Sequence, residues 1–365
     1  MTLDVGFLGY GFMGKAHANA LDRLPMFFPD APATNRDVLI GRDEAAAGKA
    51  ADRFGFDRIA TNWREVVDDV DIFCNLGPNQ IHAEPTTAAL DSDVHVLCEK
   101  PLAPDIETAR EIRDAARESE GIAATAFNYR YVPAVQLAKR LVDEGELGDI
   151  YRFKGRYLQA WMADPETPWN WRCDEETAGS GAVGDVGSHT IDLARWIVGD
   201  IERISGSLTT RVTERPALDS EGTRDVTTDG EYSALVKFEN GVDGVLEGSR
   251  VATGRKANNS IEIYGSEGAL GFSLRRLNEL KVKGSEGREY QNLLITEPGD
   301  PYMDAWWPVG HIIGWEHAMV HEHYEFLTSI AERGHHRPDF EDGFAVQQAV
   351  AAIQESDERD EWVSL

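Results

Sequence analysis

The segment Gly9-Tyr10-Gly11-Phe12-Met13-Gly14 constrains this chain more than any other: a G-x-G-x-x-G spacing that directly follows the apolar run Val5-Gly6-Phe7-Leu8 and opens a helical stretch. Each glycine answers a different steric demand. Gly9 permits the tight turn, Gly11 lets the backbone approach a pyrophosphate, and Gly14 lets helix and strand pack closely. The unpaired N–H groups of the helix N-terminus then face the phosphates, with Phe12 and Met13 counted among the contacting residues. Strand, glycine turn and helix in this order predict a dinucleotide-binding loop.

The downstream residues support a sheet around that loop. The short apolar runs Val38–Ile40, Val70–Cys74, Val94–Cys98 and Ile122–Thr125 alternate with helical stretches such as Glu44–Arg53 and Ile106–Arg117. Near-continuous apolar runs of three to five residues mark parallel strands buried on both faces, hence a doubly wound domain. After Asn128 the rhythm changes. From Ile201 onward longer strands alternate with period two (Tyr232–Glu239, Val242–Arg250, Ile261–Tyr264), which predicts an open, mainly antiparallel sheet. Helices are expected at about Ala182–Val198, Gly314–Arg333 and Phe344–Ser356, and a hairpin tip at Lys283–Gly287. The expected fold is α/β: an N-terminal Rossmann domain over residues 1–127 and a C-terminal α/β domain over 128–365 for substrate binding and oligomerisation.

Composition narrows the partners. The chain has 365 residues, 42% of them hydrophobic, which is ample for two cores and excludes global disorder. No uncharged apolar run is long enough to span a membrane, and no basic flank precedes the first apolar stretch, so a cytoplasmic protein is expected. The formal charge of −28 is spread along the chain, which excludes nucleic acid and anionic membrane as main partners. Only 9 of the 36 basic residues are lysines. That surface suits a salt-accumulating, halophilic source. The three cysteines, Cys74, Cys98 and Cys173, lack metal or disulfide spacing and are expected as core residues.

Several segments carry chemistry. The second strand ends in Ile40-Gly41-Arg42-Asp43; without a carboxylate at its tip, and with Arg42 available to a 2′-phosphate, NADP is weakly favoured over NAD, although Asp43 could reach the ribose instead. Pro78, Asn79 and His82 follow one parallel strand and Glu99-Lys100-Pro101 another, both beyond carboxyl ends where open α/β sheets bind ligands. Lys100, beside Glu99 and held by Pro101, is a fixed positive charge there. Further on, Asp185, His189 and Asp192 are spaced to share one face of a helix, where a His flanked by carboxylates is suited to general-base work.

Taken together, Gly9-x-Gly11-x-x-Gly14, Pro78-Asn79-x-x-His82, Glu99-Lys100-Pro101, Asn128-Tyr129-Arg130 and Asp185-x-x-x-His189-x-x-Asp192 resemble the glucose-fructose oxidoreductase / inositol dehydrogenase / MocA (Gfo/Idh/MocA) family. Met13–His17, Pro25–Phe28, Tyr157–Gln159 and Ala178–Ala182 look most like its levoglucosan dehydrogenase-like and inositol dehydrogenase-like members. The resemblance implies Lys100, Asp185 and His189 as the catalytic set, Arg130 as a substrate contact, and a homo-oligomer, dimer or tetramer. Two positions depart from the family pattern: Gly77 replaces the usual Thr before Pro-Asn, and Gly41 the usual strand-two acid.

Trp161, Trp169, Trp171 and Arg172 crowd the stretch before the catalytic helix, and flat aromatic faces suit the C–H faces of sugars or cyclic polyols. Trp161, Trp169 and Arg172 are therefore expected at substrate, with Tyr302, Trp306, Trp307 and His311 as a second aromatic cluster. His317, His321 and His323 are not spaced as a metal site. The expected activity is NAD(P)-dependent hydride transfer at a sugar or polyol carbinol, with an NAD-dependent glycosidase or a non-catalytic dinucleotide sensor as alternatives.

Overall fold

The computed structural model describes residues 2–218 and 221–365. The chain begins β1 (Thr2–Leu8), α1 (Phe12–Phe27), β2 (Ala33–Ile40), α2 (Glu44–Phe54), β3 (Arg58–Ala60), β4 (Ile72–Asn75), α3 (Ala83–Asp91), β5 (His95–Glu99), α4 (Ile106–Glu118), β6 (Ala123–Ala126). These strands form one parallel sheet in the order β3-β2-β1-β4-β5-β6. Consecutive residues such as Phe73-Cys74 and Val96-Leu97-Cys98 are all fully buried, so both faces of the sheet are covered. The order reverses between β1 and β4, which places the ligand crevice at the carboxyl ends of those two strands.

The chain continues through α5 (Pro133–Asp143), β7 (Ile150–Leu158), α6 (Glu175–Ala178), a π-helical turn at Val183–Gly187, α7 (Ser188–Val198), β8 (Ile201–Thr209), β9 (Glu214–Pro216) and β10 (Thr223–Asp225). Then come β11 (Glu231–Phe238), β12 (Asp243–Ser249), β13 (Asn258–Gly265), β14 (Ala269–Ser273), β15 (Glu279–Lys283), β16 (Gln291–Leu294), α8 (His317–Glu332), α9 (Phe340–Arg359) and β17 (Val363–Ser364). The second sheet has nine strands in the order β16-β15-β14-β13-β7-β12-β11-β8-β17, antiparallel throughout except at β7–β12. The mainly antiparallel sheet is as expected, and the polar stretch after Lys283 does join a hairpin, β15 to β16. Its central strand β7, ahead of the strands read from Ile201 onward, alternates Arg152, Lys154 and Arg156 with the inward Phe153, Gly155 and Tyr157 of a half-buried strand. Gly155 has a reason of its own: a Cβ there would collide with Thr190, so α7 lies directly on this strand.

Two compact units result, Met1–Tyr131 with Gly314–Phe344, and Val132–Ile313 with Ala345–Leu365. A single division at 127/128 assigns Gly314–Phe344 to the second domain, whereas that segment groups with the first. The reason lies in side-chain packing of α8 on α1: the Phe28 and Tyr324 rings sit 4.5 Å apart, and Tyr324 donates a 2.9 Å hydrogen bond to Asp30. Phe340 and Phe344 likewise join the core built around Leu102, Ala109 and Ile112. All three cysteines are buried free thiols. Among the described residues no helix is long and apolar enough to cross a membrane.

Candidate active site

In the first unit the glycine loop has the geometry its spacing demands. Gly9 sits at φ +114°, and a Cβ on Gly14 would lie 2.5 Å from the Gly9 carbonyl oxygen. Around Gly11, at the N-cap of α1, nothing occupies the space a Cβ would enter. No side chain caps this helix and no acid stands in its first turn. Its leading N–H groups and positive dipole end are therefore fitted to an anion such as a pyrophosphate. Phe12 is exposed and stacks on Trp315 at 5.5 Å, while Met13 is half-buried.

The tip of β2 explains one departure from the family pattern. The Tyr10 ring occupies the space a side chain at Gly41 would enter. Arg42 is exposed, and Asp43 is spent as the cap of α2, accepting from the Ala46 N–H at 2.9 Å.

Beyond β4, buried Asn75 donates to the carbonyls of Ile81 and His82 and to Thr86, shaping the turn that carries Pro78 and Asn79. His82, expected at the cofactor, is fully buried. Its Nδ1 faces the Pro101 and Leu102 carbonyls at 3.0 and 3.3 Å, and its Nε2 faces the Gly77 carbonyl at 3.0 Å. The ring's one N–H donates to a main-chain oxygen on one side or the other, so His82 spans the Pro78 turn and the Lys100–Leu102 turn. Burial holds it below the usual histidine range. Glu99 is also turned inward, to His17 at 3.2 Å and the Lys100 N–H at 3.2 Å. Arg130, expected at substrate, is 3% exposed and pairs with Asp342 at 3.4 Å within this same unit.

The second unit holds the other group. Asp185 lies on the π-helical turn, and His189 on α7 just after it. Asp192 is buried. One Asp185 oxygen sits 3.8 Å from Arg172 Nε and 3.9 Å from Arg250 Nη1, held between two guanidiniums. The His189 ring lies 5.9 Å from that of Tyr157.

Arg250 and Asp229 are the residues a sequence reading misses. Buried Arg250 donates to Thr228 Oγ1, the Asp229 carbonyl and the Arg172 carbonyl at 3.1, 2.8 and 3.3 Å. Asp229 accepts from the N–H groups of Gly181 and Val183 at 2.6 and 2.9 Å, fixing the entry to the π-turn, and burial raises its carboxyl above the usual range. A cation directly after the strand Asp243–Ser249, whose inward residues Gly244, Leu246 and Gly248 are apolar or small, was the available signal.

Each of the three tryptophans carries a guanidinium: Arg250 at 6.0 Å from Trp161, Arg172 at 4.3 Å from Trp171 and Arg224 at 3.3 Å from Trp169. Trp161 is 39% exposed, and Trp169 also donates to the Asp225 carbonyl. In the second aromatic cluster Trp306 is buried and Trp307 exposed. The histidines of α8 are engaged singly: His317 accepts from the Gly314 N–H, His321 donates to the Tyr131 carbonyl, and His323 meets His17. Among the described residues no three His, Cys, Asp or Glu side chains are grouped to hold a metal ion.

The model of the oxidoreductase family GFO/IDH/MocA with NAD-binding Rossmann fold matches residues 3–127, and that of the GFO/IDH/MocA C-terminal domain matches residues 135–271. The chain belongs to the GFO/IDH/MocA family. As a GFO/IDH/MocA chain it is an oxidoreductase with an NAD-binding Rossmann domain. Levoglucosan dehydrogenase of Pseudarthrobacter phenanthrenivorans is 39% identical over 100% of this chain and 98% of its own length. A solved levoglucosan dehydrogenase in complex with NADH and levoglucosan superposes with a TM-score of 0.96 at 38% identity, covering 100% of this chain and 99% of that one. Inositol 2-dehydrogenase of Rhizobium meliloti is 24% identical over 97% of both chains. These complexes hold NADH, so the expectation of NADP gains no support from them.

Proposed function

We propose that this enzyme oxidises a carbinol carbon of a cyclic sugar, levoglucosan or a near relative, in a reversible reaction with NAD. The observation that carries the reading is Asp185 clamped between Arg172 and Arg250 at the entry to the helix bearing His189. The full-length likeness to levoglucosan dehydrogenase supports the sugar, and the NADH complexes support NAD. The bound nicotinamide supplies the hydride acceptor. The chain's own residues manage position and the proton. His189 takes the hydroxyl proton as the alcohol is oxidised, and Asp185, held in place by its two guanidiniums, orients substrate and His189. Lys100 places an ammonium where negative charge develops on the substrate oxygen. Exposed Trp161 offers an aromatic surface to the C–H face of the ring.

Two lesser readings travel with this one. Copies associate through the exposed face of the nine-stranded sheet, where the Arg152, Lys154 and Arg156 row lies beside Asp243 and Glu247; light scattering reads that state directly. The spread acidic surface is an adaptation to salt. The deciding assay follows near-ultraviolet absorbance of the reduced nicotinamide with levoglucosan, inositol and a panel of aldoses, with NAD and NADP, at low and molar KCl. Levoglucosan-dependent reduction of NAD is the expected result. A silent panel with nitrophenol release from an aryl glycoside would move the chain to glycosidase chemistry, and silence in both assays would leave a dinucleotide sensor.

A further inference from the structure

We propose that His17 and His323 are positioning residues for the Glu99–Lys100 pair, forming a buried hydrogen-bonded chain that anchors a carboxylate beside the catalytic lysine. The proposal rests on the role of Lys100 given above, and its test is arranged so that the two can fail separately.

The chain is drawn from three places in the sequence. His17 lies on α1, three residues after Gly14; Glu99 ends β5; His323 lies on α8, 306 residues from His17. His17 Nδ1 is 2.9 Å from His323 Nε2, and His17 Nε2 is 3.2 Å from Glu99 Oε1. The other carboxylate oxygen, Oε2, accepts the Lys100 main-chain N–H at 3.2 Å. All three side chains are buried, at 0%, 5% and 2% exposure for His17, Glu99 and His323.

Proton bookkeeping then orders the chain. A carboxylate only accepts, so His17 carries its proton on Nε2; in a neutral ring its Nδ1 is then an acceptor, and His323 must donate from Nε2. Burial pushes His323 well below its usual range, which keeps that ring neutral. Packing fixes the planes: the Phe7 and His323 rings meet the His17 ring edge-on, at 6.3 and 5.1 Å. Besides His17, Glu99 acts electrostatically on Cys98 of β5 and on His82 after β4, with Lys100 adjacent in sequence; next to His323 on α8 stands Glu322, whose charge reaches Cys74 of β4.

The consequence reaches Lys100 through its own backbone. A buried carboxylate is tolerated only where donors satisfy it, and here one donor is the lysine's N–H and the other a ring whose tautomer His323 dictates. Without His323, His17 is free to move its proton to Nδ1, which sets a bare Nε2 lone pair against the carboxylate. Glu99 then turns away, and the lysine loses the main-chain tether that Glu99 Oε2 provides.

The test compares the full-length enzyme with His323→Leu, His323→Gln and Lys100→Met. Residues that orient a reacting group through another typically matter by about 10-fold to 100-fold. His323→Leu should therefore lower kcat about tenfold with little change in sugar KM. His323→Gln, whose amide can still donate to His17, should recover most of kcat. Nitrogen-15 spectra of the histidines in the unmodified enzyme should show His17 as the Nε2–H tautomer, a readout independent of how any variant folds. His17 found as the Nδ1–H tautomer overturns the proposal, as does a His323→Leu enzyme with wild-type kcat, or equal losses in both His323 variants. Near-normal turnover in Lys100→Met would sink the role of Lys100 while leaving the tautomer result to judge the chain.

Discussion

Acid should unfold the first unit early, and the cause is its buried histidines. Burial pushes His321 down to about 3 and His336 to about 4, from an ordinary 6.5, and lowers His82 and His323 in the same direction. A histidine that stays neutral when folded but binds a proton when unfolded makes stability rise with pH. Its contribution is fully present above about 6.5 and is lost progressively as pH falls toward the depressed value. At about pH 5 the loss is about 2 kcal/mol for each of His321 and His336, so about 4 kcal/mol for the pair. Whole-domain stabilities of about 5 to 15 kcal/mol make that a large share. Buried Asp229 and half-buried Asp339, whose carboxyls are raised, act in the opposite sense. A variant comparison isolates the histidine part. His321→Asn keeps a donor for the Tyr131 carbonyl, 2.9 Å from Nδ1, but cannot titrate. Urea unfolding followed by far-ultraviolet circular dichroism at about pH 7.5 and about pH 5 should show wild type losing stability and His321→Asn losing about 2 kcal/mol less. Equal losses in the two proteins would refute the reasoning, because the protonation of His321 would then not differ between folded and unfolded chains.

Lys100→Met and His189→Ala should each cut turnover by about 10²-fold or more, while His189→Ala leaves NADH affinity near wild type, measured by nicotinamide fluorescence; near-normal turnover in both contradicts the mechanism. Arg42→Ala should change NAD affinity by less than about twofold, since only a 2′-phosphate could pair with it; a strong and selective loss of NADP binding would reinstate NADP as the cofactor. Asp229→Ala strands the buried N–H groups of Gly181 and Val183 and should cost about 2 to 4 kcal/mol, with kcat falling because the π-turn bearing Asp185 loosens; unchanged thermal stability would show that Asp229 does not hold that turn. Melting temperature should rise from dilute buffer to molar KCl, because screening shortens repulsion among the surface acids from about 10 Å to about 3 Å; a flat or falling series would remove the salt adaptation.

The nucleotide-binding half was legible because its signals are local. Gly9, Gly11 and Gly14 are steric requirements of one turn, and continuous burial of strands such as Val96-Leu97-Cys98 writes itself as an apolar run. Strand β7 does alternate Arg152, Lys154 and Arg156 with inward Phe153, Gly155 and Tyr157, but its central place in the sheet comes from pairing with the distant β12 and β13. The same limit hid Arg250 and Asp229, whose roles depend on Arg172, Gly181 and Val183, residues scores of positions away.

By itself the sequence determined the Rossmann class and the mainly antiparallel second sheet, since both follow from apolar spacing along local segments, whereas Lys100, Asp185 and His189 came forward as the catalytic set through the family resemblance. Only the tertiary structure decided which polar residues face inward. His82, Glu99 and Arg130 read as ligand contacts in a line of letters, and the fold also gives them protein partners: main-chain carbonyls for His82, His17 for Glu99 and Asp342 for Arg130. It also decided that α8 groups with the first unit, which brings His323 to His17. The physical reason is that a buried polar group must find its partner wherever the fold brings one, and nothing in local spacing encodes a partner 306 residues away.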